Sequence, residues 1–428
     1  MPTVVFHTLG CRLNQAESAI IANDLKKQGY EVVDGTQSAD LTVIHTCTVT
    51  EQADAKCRQA VRQSIRKNPD TFVAVIGCYA QMAVDTIRQI EGVDLIVGNE
   101  HKMRLSQYLD SLTKKKNPQV IHSRKISRQE FTIDSVAHDE SHTRANLKIQ
   151  DGCNFVCSFC IIASARGPAR SRKFDDIIKE TYKLVDMGYK EIVLTGVNIG
   201  TYQQNGYDFL NVLTELDKID ALSRIRISSI EPTTVTKEII DFVADSNKIC
   251  RHLHIPLQSG DDRILESMRR KHSAAFFEEI IEYAADKIPG MGLGTDVMVG
   301  YPTEGIEEFK NTKKLLANLP VSYFHVFTYS DRKGTGSYSL KPKVDHHVKK
   351  ERTRIMIEMG ERKKLAFYDS FLGQEVNVLF EEKHNGIWEG FSDNYMRVKV
   401  DSKSNLKNEL KQIRLLEVQD QKILGEII

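Results

Sequence analysis

Three closely spaced cysteines are the residues of this chain with the clearest chemical potential. Cys153, Cys157 and Cys160 form a CxxxCxxC pattern between a predicted strand and a predicted helix. Three thiolates at this spacing can hold an iron–sulfur cube and leave one iron free to bind a small molecule. A closed zinc site needs a fourth ligand, and neither Cys nor His follows Cys160 at short spacing. The pattern therefore favours an iron–sulfur cluster with an open iron.

A second set of cysteines is spread along the first part of the chain. Cys11, Cys47 and Cys78 each follow a short apolar run and precede a helical pattern. Because the carboxyl ends of parallel strands share one edge of a sheet, we expect the three thiols to meet there and hold a second cluster. The alternative for any one of them is a buried core thiol. We interpret the remaining cysteines, Cys57 and Cys250, as structural.

Composition limits the location and the partners of the protein. The 428 residues include 59 Lys and Arg against 58 Asp and Glu, so only local basic patches could bind a nucleic acid. Eight cysteines and the absence of a charged-then-apolar leader predict a reducing, cytoplasmic location. No stretch approaches the roughly eighteen apolar residues of a membrane span, so no membrane partner is expected.

The apolar periodicity divides the chain into four segments and predicts an α/β protein. Residues 1–118 alternate strands and helices, which predicts a parallel, Rossmann-like domain, and residues 119–143 form a polar connector. Residues 144–370 contain six strand–helix repeats and predict a partial (β/α)6 barrel ending in a basic helix over 344–370. Residues 371–428 predict three short strands, over 375–380, 395–400 and 413–418, and a small C-terminal β-barrel.

An active site is expected at the carboxyl ends of the barrel strands. The cysteines Cys153, Cys157 and Cys160 follow the first of these strands. The loops after the second to fifth strands contribute residues 195–198, Ser229 and Glu231, residues 256–260 and residues 300–302.

The two cysteine sets, in this order and followed by a small β domain, resemble the methylthiotransferase family of radical S-adenosylmethionine (SAM) enzymes. The resemblance covers essentially the whole chain and includes an aromatic residue, Phe159, just before the last cysteine. TLGCRLNQAES and CTVTEQAD look like the branch that modifies threonylcarbamoyladenosine beside the anticodon. The isopentenyladenosine branch reads closer to TFGCQMN, and the ribosomal-protein branch closer to SLGCPKN.

The resemblance implies SAM and two [4Fe–4S] clusters as cofactors. It implies that SAM binds the open iron of the second cluster and yields a deoxyadenosyl radical, while the first cluster presents sulfur to the substrate. The implied metal ligands are Cys11, Cys47, Cys78, Cys153, Cys157 and Cys160. The candidate SAM contacts, for each of which a plain structural turn is the alternative, are Phe159, Thr195, Gly196, Gln258 and Ser259.

The implied partners are a tRNA anticodon stem-loop and a flavodoxin- or ferredoxin-like electron donor, with the protein acting as a monomer. Candidate groups for the SAM carboxylate or an RNA phosphate are Arg166, Arg170 and Arg172. The C-terminal segment resembles the RNA-binding TRAM module, where Trp388, Phe391 and Tyr395 could stack on bases or pack in a core. The basic helix either contacts RNA or is a solvated surface helix.

Two positions depart from the family pattern, and four competing functions are compatible with the sequence. Ala163 stands where the family commonly has proline, and residues 331–336 lack the prolines usual there. Two of the competing functions are enzymatic, namely methylthiolation of isopentenyladenosine in tRNA or of an aspartate in a ribosomal protein. The remaining two are a non-catalytic iron–sulfur regulator that binds RNA and a zinc-binding structural protein.

Overall fold

The structure is a computed structural model that describes residues 1–35, 37–133, 135–139 and 142–428. Its N-terminal unit is a sheet of six parallel strands in the order β2-β1-β3-β4-β5-β6. The strands are β1 (Thr3–Thr8), β2 (Glu31–Val32), β3 (Leu41–Thr46), β4 (Phe72–Gly77), β5 (Leu95–Val97) and β6 (Gln119–Ile121). The helices are α1 (Arg12–Lys27), α2 (Glu51–Lys67), α3 (Cys78–Met82), α4 (Val84–Arg88) and a 3-10 helix (Lys102–Tyr108).

The central strands of this sheet are apolar because both of their faces are covered. Every residue of β3 and β4 is buried, as expected of parallel strands with helices on both sides. The sixth strand, β6, lies beyond residue 118, so the sheet extends into the segment that the sequence assigned to a connector. Residues 134, 140 and 141 of that connector lie outside the described part of the chain.

The middle of the chain forms the predicted partial (β/α)6 barrel. Two parallel three-stranded sheets, β7-β10-β13 and β14-β15-β16, are joined by the bridges Ile225–Ile249 and Ser229–His254. The barrel strands are β7 (Arg144–Lys148), β10 (Glu191–Thr195), β13 (Arg224–Ile227), β14 (His252–His254), β15 (Gly292–Val299) and β16 (Tyr323–Thr328). The short strands between them are β8 (Gln150–Asp151), β9 (Arg170–Ser171), β11 (Gln203–Gln204) and β12 (Tyr207–Asp208).

Helices cover the outside of this barrel. They are α5 (Ile162–Arg166), α6 (Phe174–Asp186), α7 (Phe209–Asp217), α8 (Lys237–Asp245), α9 (Asp262–Ser267), α10 (Ala274–Lys287), α11 (Ile306–Asn318) and α12 (His346–Asp369). Along β7, Ala145 and Leu147 belong to the core shared with the helices. The alternation of a strand therefore puts Arg144, Asn146 and Lys148 on the inner side of the barrel.

The C-terminal unit is a closed barrel of five strands in the order β17-β18-β19-β21-β20. The strands are β17 (Glu375–His384), β18 (Ile387–Ser392), β19 (Arg397–Asp401), β20 (Leu410–Gln419) and β21 (Lys422–Ile427). The sequence pattern did not reveal β18 and β21, because Gly390 and Gly425 interrupt their apolar alternation. Trp388 lies in the core of this barrel and donates to the carbonyl oxygen of Ser404.

The small barrel docks against the amino ends of the large barrel's strands. Arg144 Nε donates to Glu381 Oε1 at 2.5 Å, and Arg251 pairs with Asp393 at 2.6 Å. The buried Arg226 donates to the carbonyl oxygens of Ser392 and Asp393. The small barrel thus forms a floor beneath the large one. None of the described helices is long and apolar enough to cross a membrane.

Candidate active site

Cys11, Cys47 and Cys78 follow the neighbouring strands β1, β3 and β4 and meet at one edge of the sheet. The close approach of the loop that carries Cys11 to Cys47 depends on Gly10, whose φ is +107°. A Cβ atom on Gly10 would lie 2.8 Å from the Cβ of Cys47 and 3.1 Å from its Sγ, so a larger residue would push the loop away. Cys11 and Cys78 lie close enough to Cys47 to raise the pKa of its thiol, so the three are neighbours, and their role as cluster ligands stays a prediction.

Asn99 connects this thiol set to the barrel. Its Nδ2 atom lies 3.5 Å from Cys78 Sγ and donates to the carbonyl oxygen of Ala165 on α5 at 2.6 Å. Cys78 is buried, whereas Cys11 is exposed. Burial raises the pKa of Cys47 to about 11, so a cluster that binds here must displace the proton of this thiol.

Cys57 lies behind Cys47, which its position in a polar helical stretch did not suggest. Cys57 Sγ is 3.2 Å from the carbonyl oxygen of Cys47 and 3.4 Å from its backbone nitrogen. These contacts are with the backbone and leave the Cys47 thiol to face Cys11 and Cys78. Cys57 is therefore still interpreted as a structural residue and not as a cluster ligand.

The second thiol set lies between β8 and α5, at the carboxyl end of the first barrel strand. The backbone N–H of Phe155 points at Cys153 Sγ at 3.3 Å, and that of Ile162 points at Cys160 Sγ at 3.4 Å. Arg270 Nη1 lies 3.5 Å from Cys157 Sγ. Backbone donors and a neighbouring cation stabilise thiolate charge, so this loop is suited to a thiolate-ligated cluster.

Each thiol set supplies three free cysteines, the number that an iron–sulfur cube with one open iron requires. Among the described residues, no three His, Cys, Asp or Glu side chains are close enough to hold one metal ion. An iron–sulfur cube separates its ligands by the width of its own atoms, so it accepts a wider arrangement of thiols. Three thiols at each site would leave the fourth iron of a cube without a cysteine ligand.

The loop after β10 is shaped by a close backbone approach. A Cβ atom on Gly196 would lie 2.9 Å from the carbonyl oxygen of Gln150, which leaves no room for a side chain. Gln150 Oε1 accepts the backbone N–H groups of Val197 and Asn198, both at 2.9 Å. Thr195, which ends β10, is buried. This loop is therefore held rigidly beside the second thiol set.

Asn198 is a candidate ligand-binding residue that the sequence placed in this loop without giving it a role. Its side chain faces the Cys153 thiol and is 2% exposed. Apart from this contact with the Cys153 thiol, neither polar atom of the amide has a hydrogen-bond partner among the described residues. A buried amide with so few partners is rare in folded proteins, and a polar ligand would satisfy it.

The other candidate SAM contacts have different surroundings. Phe159 packs against a small apolar cluster that contains Met268 and Tyr301. Gln258 has a φ of +72° and is held by backbone hydrogen bonds to neighbouring β15. Ser259 is buried with its hydroxyl 3.3 Å from that of Thr312 on α11. For Ser259 this contact favours a structural turn, and the SAM contacts of all five candidates stay predictions.

Arg166 and Arg172, which the sequence offered for the SAM carboxylate or an RNA phosphate, are both engaged with carboxylates of the protein. Both side chains are buried, Arg172 pairing with Asp176 and Glu180 and Arg166 with Glu17 and Asp151. The half-buried Arg170 pairs with Asp151 at 3.2 Å. Glu17, a partner of Arg166, is 149 residues away and could not be predicted from the local pattern, whereas the partners of Arg172 follow it by 4 and 8 residues.

A buried charge network around Glu17 joins the first unit to the barrel beside Cys78. Glu17 lies on α1 and is fully buried. Its carboxylate contacts three cations, which are Lys102 Nζ at 2.5 Å, Lys148 Nζ at 2.7 Å and Arg166 Nη1 at 3.0 Å. Asp151 supplies a second carboxylate, 2.7 Å from Lys148 and 3.0 Å from Arg166. The network therefore fixes α1 against β7 and α5.

Tyr395 of the C-terminal unit lies on the floor of the barrel. Its ring centroid is 4.6 Å from that of His252 and 4.9 Å from that of Phe391, and the Arg226 guanidinium lies 5.2 Å away. Phe391 and Tyr395 therefore take part in an interface between units, and Trp388 takes the core role that was considered for all three.

The chain matches two protein-family profiles, and each matched range contains one of the two thiol sets. The sequence profile of the Radical SAM superfamily matches residues 147–316, and that of the "Uncharacterized protein family UPF0004" matches residues 3–98. A radical SAM methyltransferase, TsrM from Kitasatospora setae, solved with cobalamin and a [4Fe-4S] cluster, has a TM-score of 0.59. The match covers 79% of this chain and 77% of that chain at 14% identity, which shows a common fold.

The sequence relatives are more specific. The threonylcarbamoyladenosine tRNA methylthiotransferase MtaB of Bacillus subtilis is 39% identical over 97% of this chain and 94% of its own length. The protein of the same name from Aquifex aeolicus is 39% identical over 91% of this chain and 95% of its own length. A tRNA-2-methylthio-N(6)-dimethylallyladenosine synthase of Moorella thermoacetica is 33% identical over 87% of this chain and 86% of its own length. With identities of this size over nearly the whole length, the chain belongs to the methylthiotransferase family of radical SAM enzymes.

Proposed function

We propose that this enzyme converts N6-threonylcarbamoyladenosine at position 37 of tRNA, next to the anticodon, into its 2-methylthio derivative. The observation that carries the proposal is the pair of three-thiol sites that Asn99 links through Cys78 and Ala165. Relatives named for threonylcarbamoyladenosine reach 39% identity, against 33% for the dimethylallyladenosine relative above, which supports this substrate over isopentenyladenosine.

The cofactors of this family are SAM and two [4Fe–4S] clusters. The two clusters would be held by Cys11, Cys47 and Cys78 and by Cys153, Cys157 and Cys160. When bound, the cofactors supply radical chemistry and sulfur, which acid–base groups cannot provide at an unactivated C–H bond. Asn198 would donate to or accept from SAM, and the Arg270 guanidinium would stabilise negative charge on Cys157.

The proposal includes the wider setting of the reaction. The tRNA anticodon stem-loop is the expected substrate, and a flavodoxin- or ferredoxin-like protein the expected electron donor. A cytoplasmic location, which the eight free cysteines support, and a monomeric state belong to the same proposal. The C-terminal barrel is expected to contact RNA with surfaces other than its docked face.

Nucleoside analysis of tRNA tests the substrate directly. We expect a strain that lacks this gene to lose 2-methylthio-N6-threonylcarbamoyladenosine and to regain it when the gene is restored. The measurement is mass spectrometry of total tRNA nucleosides from both strains. Loss of 2-methylthio-N6-isopentenyladenosine in its place would contradict the proposed substrate, and no change in either nucleoside would favour a non-catalytic regulator.

Replacing Cys11, Cys47 and Cys78 together with alanine should separate SAM cleavage from methylthio transfer. SAM cleavage should persist, because the barrel cluster has its own ligands, whereas methylthio transfer should vanish with the first cluster. Deoxyadenosine and methylthiolated nucleoside are measured in the same assay. Cys57→Ala is the control variant and should form both products. Methylthiolation at the wild-type rate by the triple variant would rule out sulfur delivery at this site.

A further inference from the structure

A polar cavity of about 530 Å³ opens beside Cys11, the exposed thiol of the first set. All three folded units contribute to its wall, through Arg12, Gln15, Arg144, Asn146 and Glu381. Asn146 lies on the inner side of the barrel, so the cavity joins the interior of the barrel to the first thiol set. A concave site of this size with convergent polar groups is suited to a small ligand or to one nucleotide.

The charges in this wall are mostly balanced. Arg144 pairs with Glu381 at 2.5 Å, and its guanidinium lies 4.8 Å from the Phe391 ring centroid. Glu382, which also lines the cavity, lies 3.6 Å from the guanidinium of Arg397. The carboxylates of the wall therefore have partners within the protein.

Arg12 is different, because its guanidinium forms no ion pair with any residue that the structure describes. Its Nη2 atom donates to the Tyr395 hydroxyl at 2.6 Å, and its Cζ lies 5.8 Å from the ring centroid. The Tyr395 ring is in turn packed against His252 and Phe391. A neutral phenol thus orients Arg12 in the cavity wall and leaves its positive charge uncompensated.

We propose that Arg12 recognises the carboxylate of the threonylcarbamoyl group and so selects this substrate over isopentenyladenosine. The inference rests on the proposed function. A guanidinium binds a carboxylate through parallel, charge-assisted hydrogen bonds, and the donors of Arg12 that Tyr395 does not occupy can make them. An isopentenyl group ends in methyl groups and has no acceptor, so it would desolvate Arg12 without compensation.

The position of Arg12 agrees with the chemistry of the substrate. C2 and the N6 substituent of adenine lie on the same edge of the base, on either side of N1. A base whose C2 faces the cluster held by Cys11 would therefore direct its N6 substituent to the surroundings of that cysteine. Arg12 is the next residue, and its side chain lies in the wall of the same cavity. The carboxylate would replace solvent as the partner of Arg12.

The test compares binding of two anticodon stem-loop RNAs by full-length protein that carries both clusters. One RNA contains N6-threonylcarbamoyladenosine, and the other contains its neutral threoninamide analogue. Because the RNAs share every phosphate, the ratio of their Kd values isolates recognition of the carboxylate. We expect the wild type to prefer the acid by about tenfold or more, as charge-assisted hydrogen bonds commonly allow.

Two kinds of variant should reduce this preference. Arg12→Gln should lower it to about one, and Arg12→Lys should keep part of it because the charge remains. Tyr395→Phe leaves the cysteine loop unchanged and removes only the hydroxyl that orients Arg12, so it should lower the preference by a few fold. Iron content is measured for each variant, so that loss of the first cluster is recognised separately.

Arg58→Gln is the matched control. Arg58 also donates to a tyrosine hydroxyl, that of Tyr79 at 2.8 Å, with the same 5.8 Å distance to the ring centroid, but it does not line the cavity. This variant should keep the wild-type preference. A wild-type preference in Arg12→Gln would overturn the inference, as would a wild type that methylthiolates the acid but binds both RNAs equally. A wild type that does not methylthiolate the acid would overturn the proposed function and this inference with it.

Discussion

The variant in which Cys153, Cys157 and Cys160 are all replaced with alanine should contain one cluster fewer than the wild type and form no deoxyadenosine from SAM. No thiolates remain there to hold the iron that SAM must bind. Because this cleavage is the source of the radical, the loss should be complete. Anaerobic reconstitution, iron and sulfide counting, and chromatography of the SAM products measure both effects.

Cys250→Ala provides the control for this variant. Cys250 is buried next to β14 and away from both thiol sets, so its replacement should leave iron content unaltered. Unchanged iron in the triple variant would mean that the CxxxCxxC thiols do not hold a cluster. Reduced iron with normal deoxyadenosine formation would mean that SAM is cleaved at the other site.

Glu17→Gln should destabilise the protein by about 3–5 kcal/mol, the usual cost of removing one partner from a buried ion pair. Lys102 would lose the carboxylate that it pairs with, and Lys148 and Arg166 would be left with that of Asp151, although all of these side chains are buried. Because the network joins the first unit to the barrel, their contact should weaken as well. Urea unfolding followed by circular dichroism measures the shift of the midpoint.

Glu91→Gln removes the same charge from an exposed position of the same unit and should leave the midpoint within experimental error. Limited proteolysis gives a second measurement, since a loosened interface should expose the chain between the first unit and the barrel. Equal midpoints for Glu17→Gln and Glu91→Gln would show that the network contributes no net stability.

The same network predicts how stability depends on pH. Burial opposes ionisation of Glu17, but Arg166, Lys102 and Lys148 outweigh it and hold the pKa of this carboxyl well below its ordinary value of 4.5. The folded protein therefore binds this proton less readily than the unfolded chain, and the contribution is lost as the pH falls below about 4.5. Between about pH 6 and about pH 4, the wild type should lose more stability than Glu17→Gln.

The positions of the cysteines could be predicted because they depend on local pattern and on one topological rule. Each of Cys11, Cys47 and Cys78 follows a short apolar run that predicts a strand, and parallel strands bring their carboxyl ends together. The strands β18 and β21 were missed because glycine interrupts their alternation. Gly390 is required there, since a Cβ atom would lie 2.3 Å from the carbonyl oxygen of Leu379.

The two cysteine sets, the order of the units and the partial barrel could be predicted because strand and helix periodicity and thiol spacing are properties of short segments. Which charges remain without an ionic partner depends on tertiary contacts. Arg166 looks like a phosphate ligand until α1 brings Glu17 within 3.0 Å of it. Arg12 shows the opposite case, because Tyr395, which accepts its hydrogen bond, is 383 residues away, and no described residue forms an ion pair with Arg12. Electrostatic balance and burial depend on residues that are distant in sequence, which no local pattern encodes.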